Sequence, residues 1–221
     1  MKIIISLGGS LINPGRINYG FLKEFRNVIK KFPLHKIVIV TGGGKIARDY
    51  IEALGNKNEK IRSLIGIAVT KLNAMLVSNF LGSEIVVPDS LDDVKKLLRR
   101  KNLVVCGALG YREKMTSDGT AADVARYLKA DLLVNVTNVK GLYDKDPRRF
   151  KDVEFIPKIS FEDFLKKAKK IKFQPGQHFV LDKVASEIIA KYGIRAVILT
   201  GTRNLKNCLS GRKFIGTVIN S

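Results

Sequence analysis

The sequence has no tryptophan, two cysteines, two histidines and six prolines in 221 residues, and each shortage removes a class of protein. Cys106 and Cys208 stand alone, without a Cys-x-x-Cys pair or a Cys/His spacing. Neither a disulfide framework nor a zinc site is indicated, and both read as packing residues. His35 and His178 have no partner pattern that would make a ligand set or a nucleophile and base. Uninterrupted apolar runs, such as residues 64–69, are short against the ~20 residues of a membrane span. Gly8-Gly9 breaks the N-terminal apolar stretch where a secretory leader needs continuity. The expectation is a cytoplasmic protein with no membrane partner. No low-complexity tract is present, and 45% hydrophobic with 27% charged residues is the composition of a folded chain, not a disordered or collagenous one.

Negative charge is the other shortage. Twenty acidic residues face 40 basic ones, giving a net charge of +20. Such a field attracts polyanions. The basic residues are spread along the chain, the densest run being Lys166, Lys167, Lys169, Lys170 and Lys172, which reads as a solvated helix face. No zinc-finger spacing or aromatic stacking motif accompanies them, so nucleic acid is disfavoured and small phosphorylated ligands satisfy the charge equally well.

Hydrophobic periodicity predicts buried strands at 2–7, 37–40, 85–87, 103–106, 132–136, 196–199 and 216–219. Helical spacing predicts helices through Phe21 to Phe32, at 46–54, 61–80, from Ser90 to about 100, 118–129, from Ser160, and 180–192, with Ser90/Asp93 and Ser160/Asp163 as capping signals. Residues 141–158 read as loop with short hairpin strands. Strands alternating with helices imply an α/β fold, a mainly parallel sheet sandwiched by helices. A soft lobe boundary is placed near residue 130.

Three glycine turns follow buried strands: Gly8-Gly9-Ser10, Gly42-Gly43-Gly44 and Gly201-Thr202. Neither of the first two fits a P-loop or a dinucleotide fingerprint. At the carboxyl edge of a parallel sheet, glycines let backbone N–H groups approach an anion closely, and two such turns can hold two phosphate groups. Lys45 and Arg48 follow the second turn, and Arg48, one helical turn beyond Gly44, can bend its guanidinium toward that anion or pair with a surface carboxylate. Asp118 and Asp182 each stand at a helix start, where a carboxylate either caps the helix or serves chemistry.

Taken together, these turns resemble the amino-acid kinase superfamily, and within it the archaeal type of UMP kinase. The resemblance also rests on Gly66-Ile67 with Asn73-Ala74-Met75, Thr116-Ser117-Asp118, Lys129-Ala130-Asp131, Thr137-Asn138-Val139, Tyr143 to Pro147, and Gly176 with Leu181-Asp182, in order along nearly the whole chain. It implies transfer of the ATP γ-phosphoryl to UMP with Mg²⁺. It implies that Gly8, Gly9 and Ser10 hold ATP phosphates, that Gly44 and Arg48 line the meeting place of the phosphates, and that Thr137, Asn138, Tyr143 and Asp146 form the adenine and ribose pocket. Gly42, Gly43, Ser63, Thr116 and Ser117 fall at positions expected to meet UMP. Asp118 and Asp182 would organise cations, Mg²⁺ included, around the transferring group. Residues 1–130 would form the acceptor lobe and 131–221 the ATP lobe of one continuous sheet. Relatives of this type form homodimers that build hexamers, so self-association is implied too.

The chain departs from the family pattern at three places. Ser6 stands where many members carry a lysine, which makes Lys45, and after it Lys114, the candidate replacement cations. Ser63 stands where an acidic residue would contact the UMP ribose. The loop 107–115 is about two residues longer and more basic than the family's. These departures leave open a kinase of another small phosphorylated acceptor, or a nucleotide-binding regulator without transfer activity.

Overall fold

Short apolar strands and amphipathic helices alternate because each strand must bury two faces and each helix one. A computed structural model describes residues 1–55, 58–83, 86–113, 115–145, 147, 150, 152–170 and 181–221. The chain runs β1 (Lys2–Leu7), α1 (Gly9–Ile12), α2 (Tyr19–Ile29), β2 (Lys36–Thr41), α3 (Gly44–Ala53), α4 (Glu59–Leu81), α5 (Leu91–Arg100), β3 (Leu103–Cys106) and α6 (Ser117–Leu128). It continues through β4 (Leu132–Val136), β5 (Leu142–Tyr143), β6 (Phe155–Ile156), β7 (Lys158–Ser160), α7 (Phe161–Lys170), α8 (Lys183–Tyr192), β8 (Ala196–Leu199), α9 (Thr202–Leu209) and β9 (Gly216–Asn220).

The main sheet has the order β3-β2-β1-β4-β8-β9-β7, and β5 pairs with β6 as a small hairpin. All neighbours in the main sheet are parallel except β8 and β9. Alternate residues of each strand feed two cores. Ile4, Val38, Val40, Val104 and Leu133 pack against α5, α6, α7 and α8. Ile3, Ile5, Leu7, Ile39 and Val134 pack on the other face against α2, α4 and α9. The parallel run β2-β1-β4-β8 brings the carboxyl ends of four strands to one edge, where the glycine turns leave the sheet.

Both capping signals are realised: the Ser90 hydroxyl accepts from the Asp93 N–H at 3.1 Å, and Ser160 does the same for Asp163 at 3.1 Å. The expected strand at 85–87 is not formed at its described residues. Val87 packs against the core while Val86 stays exposed, which a three-residue apolar run permits without a sheet partner; Ile85 lies outside the described residues. The helix expected from residue 180 starts at Lys183, after the Asp182 cap. Helix α4 is longer and more apolar than its uninterrupted runs suggest: it has 23 residues, and an 18-residue window of it reaches a mean hydropathy of 1.6, enough by length and composition to cross a membrane, with 39% of that window buried. Ala74, Val77 and Leu81 seat it on the sheet.

Candidate active site

The first two glycine turns touch backbone to backbone. A Cβ on Gly9 would lie 2.1 Å from the Gly44 nitrogen and 2.6 Å from the Gly42 carbonyl, and one on Gly44 would lie 2.4 Å from the Gly9 oxygen. Gly44 also has φ of +70°, so both sterics and conformation require glycine there. The contact is locked from outside. Asn73 on α4 donates Nδ2 to the carbonyls of Gly42 at 2.7 Å and Gly43 at 3.3 Å, while the Gly8 N–H donates to the Val136 carbonyl at 2.9 Å. Gly43 is the N-terminal cap residue of α3, so the first N–H groups of that helix open at this edge.

Two carboxylates stand beside the turns. Asp118 lies in the first turn of α6 but does not cap it; Thr116 does, its hydroxyl accepting from the Gly119 N–H at 3.1 Å. Asp118 Oδ1 accepts instead from Ser6 Oγ at 2.6 Å and Asn135 Nδ2 at 2.9 Å. Ser6 and Asn135 are register partners on β1 and β4, so the sheet itself presents both donors. Asp182 does cap α8, accepting from the Ala185 N–H at 2.9 Å, and its other oxygen accepts from the Thr116 hydroxyl. Burial, with the neighbouring Asp182 carboxylate adding to it, pushes the Asp118 carboxyl up to about 7, against the pull of the Ser6 and Asn135 hydrogen bonds.

The remaining residues singled out by sequence distribute around this centre. Ser117 Oγ stands 3.4 Å from where a Gly42 Cβ would be, so Ser117 meets the second turn. Ser10 sits in α1 directly after the first turn. Ser63 lies one turn before Gly66 on α4, and the Gly66 carbonyl is 3.9 Å from a Cβ built on Gly43. Arg48 is exposed on α3, with no ion pair among the described residues. Lys45 pairs with Asp49 at 2.7 Å on the surface of α3, so it is engaged elsewhere in this state. Thr137 follows β4, its N–H donating to Leu199 at 3.0 Å, with Asn138 exposed beside it. Tyr143 stacks edge-on to Phe155 at 5.4 Å in the β5-β6 hairpin, which the Leu142 N–H ties to Thr217 Oγ1 on β9. Asp146, Lys114, Gly176 and His178 lie outside the described residues.

Sequence reasoning missed Asn135 and Asn73. Asn135 carried a signal, as the one polar residue of the strand Leu132–Val136. Asn73 appeared only as part of a motif; its latch on two carbonyls is a tertiary contact.

A pair of carboxylates and a pair of abutting glycine turns at the carboxyl edge of a parallel sheet suits two phosphorylated ligands meeting end to end. A family model described as the amino acid kinase family matches residues 1–200. The chain belongs to the amino acid kinase family. Among its relatives in that family, the uridylate kinase of Methanococcus aeolicus is 34% identical over the whole of both chains. The uridylate kinase of Methanocaldococcus jannaschii is 34% identical over 91% of this chain and 92% of its own. The crystal structure of uridylate kinase from Archaeoglobus fulgidus superposes with a TM-score of 0.88 at 32% identity, covering 99% of this chain and 100% of that one. The UMP kinase of Ureaplasma parvum, at 19% identity and a TM-score of 0.81, shares the amino acid kinase fold.

Proposed function

We propose that this protein is a UMP kinase, transferring the γ-phosphoryl of ATP to the phosphate of UMP to give UDP and ADP, a step of pyrimidine nucleotide synthesis in the cytoplasm. The observation that carries this reading is the backbone contact between the two glycine turns, which leaves no side chain between a donor held at one and an acceptor held at the other. The archaeal relatives named uridylate kinase, which match 91–100% of this chain, support UMP as the acceptor.

In this reading an oxygen of the UMP phosphate attacks the γ-phosphorus, the bond to the β–γ bridging oxygen breaks, and ADP leaves. The attacking oxygen is already ionised at neutral pH, so no general base is needed and the protein supplies positioning and charge compensation. Gly8, Gly9 and Ser10 hold the ATP phosphates, Gly42, Gly43, Thr116 and Ser117 hold UMP with Ser63 near its ribose, and Gly44 and Arg48 line the junction. Thr137, Asn138, Tyr143 and Asp146 receive the adenosine. Residues 1–130 then serve the acceptor and 131–221 the donor, on one sheet.

The donor set fits Mg²⁺. Asp182 stands close enough to Asp118 for its charge to act on the Asp118 carboxyl, and no cluster of three or more His, Cys, Asp or Glu occurs among the described residues. Mg²⁺ is usually held by one or two carboxylates plus substrate phosphates, so these two aspartates would hold it. When bound, the ion neutralises charge on the β- and γ-phosphates. Self-association is part of the proposal, with the outer face of α4, where Leu72 is 58% and Met75 47% exposed, as its surface.

An acceptor panel tests the reading: ADP formation with Mg²⁺ and ATP is expected to be fastest with UMP. Equal rates with CMP, AMP and non-nucleotide phosphates defeat it. A clear preference for a non-nucleotide phosphate instead favours the second reading, which Ser63 and the altered loop 107–115 support.

A further inference from the structure

Asp123 is nearly fully buried on α6, its side chain 5% exposed, and it is shared by two arginines. Arg112 Nη1 donates to Oδ2 at 2.6 Å, while Arg126 Nε donates to Oδ1 at 2.8 Å. Arg126 is a neighbour on the same helix and also lies over the ring of Tyr192 on α8, at 5.4 Å from its centre. Arg112 comes from elsewhere: it belongs to the loop 107–115 that runs from β3 to α6.

That loop is held at both ends. At its start Gly107 packs so closely on α4 that a Cβ would come within 2.6 Å of the Lys71 nitrogen, and the Ala108 N–H donates to Thr70 Oγ1 at 2.9 Å. Thr70 is in turn fixed to β2, its carbonyl accepting from Thr41 Oγ1 at 2.8 Å. At the far end the Arg112 carbonyl accepts from the Met115 N–H at 3.1 Å, one residue before Thr116. The Arg112 ion pair with Asp123 ties this end of the loop to α6. A buried carboxylate leaves its partner little alternative geometry, since moving Arg112 would strip a desolvated charge of one of its two cations.

We propose that Asp123 is a positioning residue for the acceptor: through Arg112 it seats residues 107–113, ahead of α6, and so sets where Thr116 and Ser117 meet UMP. The inference rests on the acceptor assignment above. Asp123 touches no substrate, and its effect is carried by the loop. The Arg112 link is separable from simple compensation of a buried charge, because Arg126 compensates the same carboxylate without holding the loop.

The test compares Arg112→Ala with Arg126→Ala in the full-length protein. Both remove one of Asp123's cations, and both leave it the other. Arg112→Ala is expected to raise KM for UMP about tenfold, with kcat and KM for ATP changed less than twofold, and to speed amide exchange within 107–113. Arg126→Ala is expected to leave KM for UMP within twofold of wild type, and Arg112→Lys to recover part of the loss. Equal effects of the two alanine variants on KM for UMP, parallel shifts in KM for ATP, or unchanged loop exchange in Arg112→Ala would overturn the anchor. A wild-type protein that forms no ADP with UMP overturns the acceptor reading itself, an outcome distinct from an active wild type whose Arg112→Ala variant keeps its KM for UMP.

Discussion

Ser6 on β1 donates its hydroxyl to Asp118 on α6 at 2.6 Å, across 112 residues of chain. At the position where many family members carry a lysine, this protein therefore places a neutral donor on the carboxylate instead of a cation. Asn135 supplies a second donor to the same oxygen. Two hydrogen bonds orient the carboxylate but cancel less of its charge than an ammonium would, which is why burial still holds the Asp118 carboxyl near 7.

Removing either donor follows directly. Ser6→Ala and Asn135→Leu are each expected to raise the Asp118 pKa above its present value, because both hydrogen bonds favour the ionised form. Carbon-13 titration of the Asp118 carboxyl reads the shift, and turnover at pH 7 is expected to fall several-fold. An unmoved titration in both variants would show that burial alone sets the value.

Stability carries the opposite sign from that of an ordinary surface aspartate. A carboxyl whose pKa rises from 3.8 to about 7 on folding holds its proton more tightly in the native state. Its contribution is fully present below pH 3.8 and is lost as pH rises through about 7. Asp118→Asn is therefore expected to be more stable than wild type at pH 8 by about 1–2 kcal/mol after allowing for partial solvation, and no more stable at pH 4. Its turnover falls by about 100-fold or more if the charge serves phosphoryl transfer. Urea melts at the two pH values with steady-state rates decide it, and a variant equally destabilised at both would contradict the linkage.

Asp182 is a helix cap in the structure and a Mg²⁺-holding residue in the proposed function, and substitution separates the two. Its Oδ1 caps α8 through the Ala185 N–H. Asparagine caps as well as aspartate, so Asp182→Asn is expected to keep the melting temperature while losing turnover, and Asp182→Ala to lose about 1 kcal/mol of stability in addition. Full activity in the asparagine variant would reduce Asp182 to a cap.

The turn contact predicts a contrast between glycines. Gly9→Ala places a methyl 2.1 Å from the Gly44 nitrogen, where only backbone could yield, so the two turns must separate. A stability loss of about 1–3 kcal/mol and near-complete loss of activity are expected. Gly211→Ala, with φ of +67° but open space around it, is expected to cost about 1 kcal/mol and leave turnover intact. Thermal melts and rates on both variants check the pair.

The chain's own pattern determined the alternation of buried strands and amphipathic helices, because apolar runs such as Lys2–Leu7 and helical stripes such as that of α2 are local and periodic. It marked the glycine turns for the same reason, since close backbone approach leaves glycine as the one residue without a conflicting Cβ. Other features were settled by contacts distant in sequence. Whether Val86 and Val87 pair in a sheet, and whether Asp118 caps its helix, depended on partners that local spacing does not name. Side-chain chemistry limits what Asp118, Asn135, Arg112 and Asp123 can bond; only the packing of β1 and β4 under α6, and of Arg112 against it, decided which of them meet, because hydrogen bonds and ion pairs form between neighbours in space whatever their separation along the chain.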